Sequence, residues 1–182
     1  MKCLLSILIF FLPVLAQAQK NDDLIHWNER HQLSWSDYQG KPGPDATAAA
    51  STATYLGVEY SFKNGKLGYL ITCSFSRSRS WGMHKNDHIL AHEQGHFDIA
   101  EIFARKLHQR LKAYVFDKKT YQTDLRDIYE HTMDEKEAMQ QTYDRETNHS
   151  INKDKQAEWL EKINTGLEKL SEFSDYQTAA GK

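Results

Sequence analysis

Hydrophobic and polar positions change rhythm near residue 81. Between Gln19 and Trp81 the apolar residues come in short runs, Leu24-Ile25-His26-Trp27 and Leu33-Ser34-Trp35, broken by Gly40-Lys41-Pro42-Gly43-Pro44. Short runs with such punctuation predict strands and loops. A hairpin is predicted about Asn64-Gly65, because the pair supplies the positive φ angles of a two-residue type I′ turn. Its register then sets Phe62 opposite Leu67, Tyr60 opposite Tyr69, Val58 opposite Ile71 and Leu56 opposite Cys73, all on one face. From Asn86 onward the spacing is helical, with almost no glycine or proline, and predicts helices over about 86–114, 123–146 and 151–173. Asn86 or Asp87 can accept hydrogen bonds from the free amides of the first turn. The expected fold is α+β: a small antiparallel sheet with one face covered by about three helices, strand-rich over 19–81 and helical over 86–173.

The first residues are set apart from this pattern. Lys2 precedes an apolar run from Cys3 to Leu15, and Ala16-Gln17-Ala18 places small residues where signal peptidase requires them. Pro13 interrupts the run, which is too short to span a bilayer. Residues 1–18 are therefore expected to be a signal peptide, and 19–182 a single exported domain, periplasmic or extracellular, with no stable membrane span after cleavage. Cys73 is the one cysteine left, so no internal disulfide is available to the mature chain. It lies in the alternating set Leu67, Tyr69, Ile71, Cys73, Phe75 and is expected to be a buried small hydrophobe rather than a nucleophile.

Charge changes the picture mainly by exclusion. The 182 residues carry 23 Lys plus Arg and 25 Asp plus Glu, a net charge of −2 with no basic run. Such a chain has no field for gathering phosphate backbones, so nucleic acid is not an expected partner.

The chemistry is concentrated in His92-Glu93-Gln94-Gly95-His96, in the first predicted helix. Helical positions four apart differ by about 40° in azimuth and one turn in rise, so both imidazoles can aim at one point. Zinc suits borderline nitrogen ligands, and two of them leave room for a third protein ligand and a water. Glu93 lies beside the same face, where its carboxylate can take a proton from that water. His84 and His88 extend the four-residue repeat, but eight residues rise about 12 Å, so His88 and His96 cannot share an ion. Asp98 and Glu101 point to the far side of the helix and are read as structural. The third ligand must come from elsewhere. Residues 143–150 concentrate candidates at a turn: His149 is the first choice and Asp144 the next, as ligand or as the carboxylate orienting a ligated imidazole. Glu130, Glu135 and Glu137 keep a glutamate ligand open. Tyr143 is a candidate donor to the oxyanion.

His92-Glu93-Gln94-Gly95-His96-Phe97-Asp98-Ile99-Ala100-Glu101, followed by Tyr143-Asp144 to His149 and then Gln156, Trp159 and Ile163, resembles a bacterial family of predicted secreted zinc-dependent proteases catalogued as domain-of-unknown-function family 922. Trp27, Arg30, Leu33, Trp35 and Tyr38-Gln39-Gly40 resemble its amino-terminal pattern. The resemblance extends over most of the mature chain. Ser150 departs from it, since glycine is expected after the histidine. The resemblance implies a zinc site and a protease activity without fixing a substrate.

The resulting expectation is an exported zinc metallopeptidase with a zincin-like active-site helix following an edge strand. His92, His96 and His149 would bind zinc, Glu93 would act as general base and Tyr143 would assist. Its partner would be a peptide or protein substrate. The segment from Leu70 to Trp81 is read as the edge strand that aligns it, with Arg77 and Arg79 as edge-protecting charges or as a preference for acidic substrates. Two alternatives stay open: a non-catalytic exported module stabilised by its metal, and an amidase acting on cell-wall peptides.

Overall fold

The apolar alternation of the first half forms a sheet, and the helical half wraps one long central helix onto it. The structure, a computed structural model, describes residues 23–29, 32–63 and 66–176. The expected signal peptide, Arg30, the Asn64-Gly65 turn and the tail from Thr178 lie outside the described residues. Strands β1 (Leu24–His26), β3 (Thr54–Lys63) and β4 (Lys66–Ser76) form an antiparallel sheet in the order β1-β4-β3. A second pair joins β2 (Ala50–Ser51) to β5 (Trp81–Gly82). Helices α1 (Asp87–Ala113), α2 (Tyr121–Thr147) and α3 (Lys153–Lys169) follow.

The β3–β4 register is the one the alternation predicts: Phe62 faces Leu67, Tyr60 faces Tyr69, Val58 faces Ile71 and Leu56 faces Cys73. Cys73 is buried in the core, and burial pushes its thiol pKa up, away from nucleophile chemistry. The start of α1 is fixed by Asn86, whose side chain accepts from the Ile89 amide at 2.9 Å.

Two expectations about strands need correction. Leu33-Ser34-Trp35 does not form a strand. The Asp37 carboxylate accepts from both the Ser34 amide and its hydroxyl at 2.8 Å, and this closes a short 3-10 turn over Trp35–Asp37. The 70–81 segment is not the free edge next to the helix either. From Cys73 to Phe75 it is paired on both sides, by residues 54–56 of β3 and by β1, which the Trp27 amide extends to the Cys73 carbonyl at 3.1 Å.

Helix α1 runs through the middle of the molecule, against the sheet on one side and α2 and α3 on others. Fourteen of its residues are buried, so it has no wide solvated face, and even its charges need partners. Glu101 is fully buried and accepts from Arg105 Nε at 2.8 Å and from the Tyr176 hydroxyl at 2.6 Å. Asp98 accepts from Trp27 Nε1 at 2.8 Å. Both carboxylates therefore hold the amino-terminal and carboxy-terminal ends of the fold onto α1.

The close approach of α1 and α2 depends on Gly95. A Cβ there would stand 2.6 Å from the Tyr143 hydroxyl and 2.9 Å from the adjacent ring carbon. Gly95→Ala gains about 1 kcal/mol of helix propensity, but overpacking costs about 1–3 kcal/mol and the Tyr143 hydrogen bond is strained as well. The overpacking wins. Urea denaturation is expected to show net destabilisation of Gly95→Ala, partly relieved when Tyr143→Phe is added to make room.

Candidate metal and catalytic site

Three side chains from two helices converge on one point. His92 Nε2 lies 3.1 Å from Asp144 Oδ1, His96 Nε2 lies 3.0 Å from the same oxygen, and the two nitrogens are 3.3 Å apart. His92 and His96 come from successive turns of α1, and Asp144 from the last turns of α2. Atoms bound at about 2.0–2.1 Å to a tetrahedral ion stand about 3.3–3.4 Å from one another, so the triangle has nearly the edges such an ion requires. The group could hold a metal ion.

One hydrogen-bonded neighbour, Gln140, orients the His96 ring toward that point. Gln140 donates from Nε2 to the His96 carbonyl at 2.9 Å, which turns its Oε1 toward His96 Nδ1, with which it makes a short hydrogen bond. The Nδ1 position of His96 therefore carries a proton, which leaves Nε2 as the atom that faces the converging group and could ligate a metal. His92 is held differently. Its ring stacks on Tyr143 with centroids 4.5 Å apart and planes 23° from parallel. Two imidazole nitrogens and a carboxylate oxygen at these distances repel unless a proton or another cation lies among them.

Titration behaviour reflects this. Burial alone would raise the Asp144 pKa, but hydrogen bonds and charge from His92 and His96 outweigh it and hold the carboxyl well below its usual range. Burial disfavours the charged form of His96, yet Asp144 and Glu93 overcome it and leave the His96 pKa raised. For His92 burial prevails, and its pKa is lowered.

Glu93 is buried beside the trio. Its Oε2 accepts from the Thr52 hydroxyl at 2.6 Å, and the Thr52 oxygen in turn lies 2.9 Å from the Tyr38 hydroxyl. Since Thr52 donates to the carboxylate, Tyr38 donates to Thr52. No hydrogen bond to Glu93 Oε1 is found among the described residues. The cleft above, of about 510 Å³, has α1 as its floor, residues 48–55 as one wall and α2 as the other.

The remaining candidates fall at different distances from this centre. His149 reaches the rim of the cleft, exposed, with Nδ1 3.6 Å from Asp144 Oδ1, and it is outside the converging group. Tyr143 is fully buried under α1, and its hydroxyl donates to the His92 carbonyl at 3.2 Å, so it supports the helix from below instead of lining the cleft. His88 ties α1 to the turn before α3, its Nε2 2.6 Å from the Ser150 carbonyl. Among the helix-two glutamates, Glu135 is bound by Arg110 at 2.8 Å, Glu130 is exposed near Arg126, and only Glu137 reaches the cleft. Arg77 pairs with Asp37 at 3.5 Å, while Arg79 lies over the Tyr55 ring at the cleft.

Sequence reading gives no role to Gln140 or Thr52, and Tyr38 enters it only as part of the amino-terminal pattern of the resemblance. Gln140 had a signal, since it stands one turn before Asp144 on the same face of α2. Thr52 lies in the small-residue run Ala48-Ala49-Ala50-Ser51-Thr52-Ala53, which carries no chemistry-bearing pattern of its own.

The turn that ends α2 is unusual in its backbone. Asn148, His149 and Ser150 all have positive φ, at 48°, 50° and 74°. Asn tolerates this conformation, but for Ser it costs about 1–2 kcal/mol, and the Ser150 hydroxyl makes no hydrogen bond among the described residues. Glycine removes that strain against about 0.5–1 kcal/mol of added chain entropy. Ser150→Gly is therefore expected to stabilise the fold by about 0.5–1 kcal/mol, read as a raised denaturation midpoint with metal content unchanged.

Residues 17–150 match the profile of a family described as "Bacterial protein of unknown function (DUF922)". No curated protein and no solved structure matches the chain. Among the described residues, no helix is long and apolar enough to cross a membrane.

Proposed function

The chain belongs to the bacterial DUF922 family, and from that premise we propose that it is an exported zinc-dependent hydrolase, a metallopeptidase in which His92, His96 and Asp144 hold the metal and Glu93 is the general base. The observation that carries this reading is the triangle of two imidazole nitrogens and a carboxylate oxygen, 3.0–3.3 Å apart, beside a buried carboxylate with one oxygen hydrogen-bonded by Thr52. Two imidazoles and a carboxylate are a ligand set that zinc accepts. A bound zinc ion supplies a Lewis acid that polarises a scissile carbonyl and brings water within reach of deprotonation near neutral pH.

The chain's own groups supply the rest. Gln140 keeps the proton of His96 on Nδ1, so that Nε2 stays a ligand. Tyr143 fixes the plane of His92 by stacking and the backbone beneath it by hydrogen bonding. Thr52, itself held by Tyr38, fixes one oxygen of Glu93. The other oxygen takes a proton from the attacking water and delivers it to the departing amine nitrogen, which balances the hydrolysis without a further acid. His149, at the rim, is placed to contact substrate.

Export follows from the amino-terminal segment, with cleavage after Ala18. The test is turnover by the purified mature protein on casein, short peptides and cell-wall fragments, with and without a chelator. The reading predicts peptide cleavage that a chelator stops and zinc restores. Cleavage that resists metal removal, or none on any substrate by zinc-loaded protein, would overturn it.

A further inference from the structure

Among the charged residues of the cleft that take no part in hydrolysis, Arg79, Lys136 and Glu137, the buried one is Lys136. Lys136 is only 8% exposed, and its position on α2 belongs to the inward stripe that includes Leu125, Thr132, Tyr143 and Thr147. Lysine is almost never so buried unless paired. Yet its ammonium makes no hydrogen bond or ion pair among the described residues. The nearby carboxylates are otherwise engaged: Glu135 by Arg110, Glu137 by the Gln141 amide at 2.9 Å, Asp144 by the two imidazoles. Lys136 lines the same cleft as the converging trio, two turns before Asp144 on one face of the helix. That is about 12 Å along the axis, the span of three or four residues of extended peptide.

An ordinary snorkelling lysine buries its stem and sends its charge to open water. Lys136 instead borders a concave site, where partial exclusion of water strengthens the attraction of a cation for an anion. We infer that Lys136 is a specificity residue that captures a carboxylate of the substrate three or four residues from the scissile bond, either the free carboxyl terminus of a peptide or an acidic side chain. This rests on the peptidase reading for its substrate class, but it makes a binding claim of its own.

The experiment therefore reads binding, not turnover. Zinc-loaded Glu93→Gln protein is titrated calorimetrically with N-acetylated alanine-rich heptapeptides in four forms: free acid, carboxy-terminal amide, and the amide with an internal Glu or with Gln in its place. At least tenfold tighter binding of the free acid than the amide assigns the captured group to the chain terminus. The same ratio for Glu over Gln assigns it to a side chain. Adding Lys136→Met, which keeps the stem and removes the charge, should bring either ratio to about one, and Lys136→Arg should restore it in part. Equal binding of all four peptides, no binding of any, or a preference that survives Lys136→Met would overturn the inference. A protein that cleaves peptides but shows no such preference would overturn this inference alone, whereas carboxylate capture without cleavage in the Glu93 form would overturn only the hydrolytic reading.

Discussion

Replacing Glu93 by Gln lowers kcat for peptide hydrolysis by about 10²–10⁴-fold, the range expected for loss of a general base, while zinc content and denaturation midpoint stay near those of the unaltered protein. Glutamine is nearly isosteric, and its carbonyl oxygen can still accept the Thr52 hydroxyl that now reaches Glu93 at 2.6 Å. What it cannot do is take a proton from water at neutral pH. The metal analysis separates the two ways of losing activity, because Glu93 lies outside the group of side chains that could hold the ion. Unchanged turnover in Glu93→Gln would remove it from the mechanism, and loss of zinc would make its role structural.

Asp144→Ala produces the largest change in metal affinity outside the two histidines. Removing an outer partner of a metal ligand costs about 10–100-fold in affinity, and that is the expectation for Gln140→Leu, which frees His96 Nδ1. Removing a ligand itself should cost more. Asp144 Oδ1 is the atom shared by both imidazoles at 3.0–3.1 Å, and without it a zinc site is left with two protein ligands. His149→Ala should cost less than either, because the ring is exposed and lies outside the group. Competition with a chromophoric chelator gives the order directly: Asp144→Ala weakest, then Gln140→Leu, then His149→Ala nearest to the unaltered protein. If His149→Ala is as damaging as Asp144→Ala, the histidine is a ligand and the turn at 148–150 must move to bring it in.

These residues also show where sequence reading succeeds. The hairpin register follows from one alternating apolar face and a two-residue turn, since a slip of one residue would turn every side chain over. The helices follow from long periodic runs with Asn86 as a cap. The pairing of His92 with His96 is local helix geometry, and any helix delivers it. Sequence reading ranks Asp144 behind His149 because the contact between α1 and α2 is tertiary: its azimuth depends on where Gly95 lets Tyr143 sit, and no local pattern encodes that. Leu33-Ser34-Trp35 misleads because three residues alternate by chance, while the Ser34–Asp37 hydrogen bonds decide the backbone. Residues 70–81 read as a free edge because β1, only three residues long, gives little sign that it will cover them. Lys136 resembles a solvated charge until the inward stripe of α2 is seen against the sheet and α1.

A zinc-edge anomalous difference map from crystals of the mature protein, grown without added metal, tests the centre of this account most directly. The account predicts one strong peak about 2.0–2.2 Å from His92 Nε2, His96 Nε2 and an Asp144 carboxylate oxygen. A peak coordinated elsewhere, or a map with no peak after the protein has been given stoichiometric zinc, would contradict it.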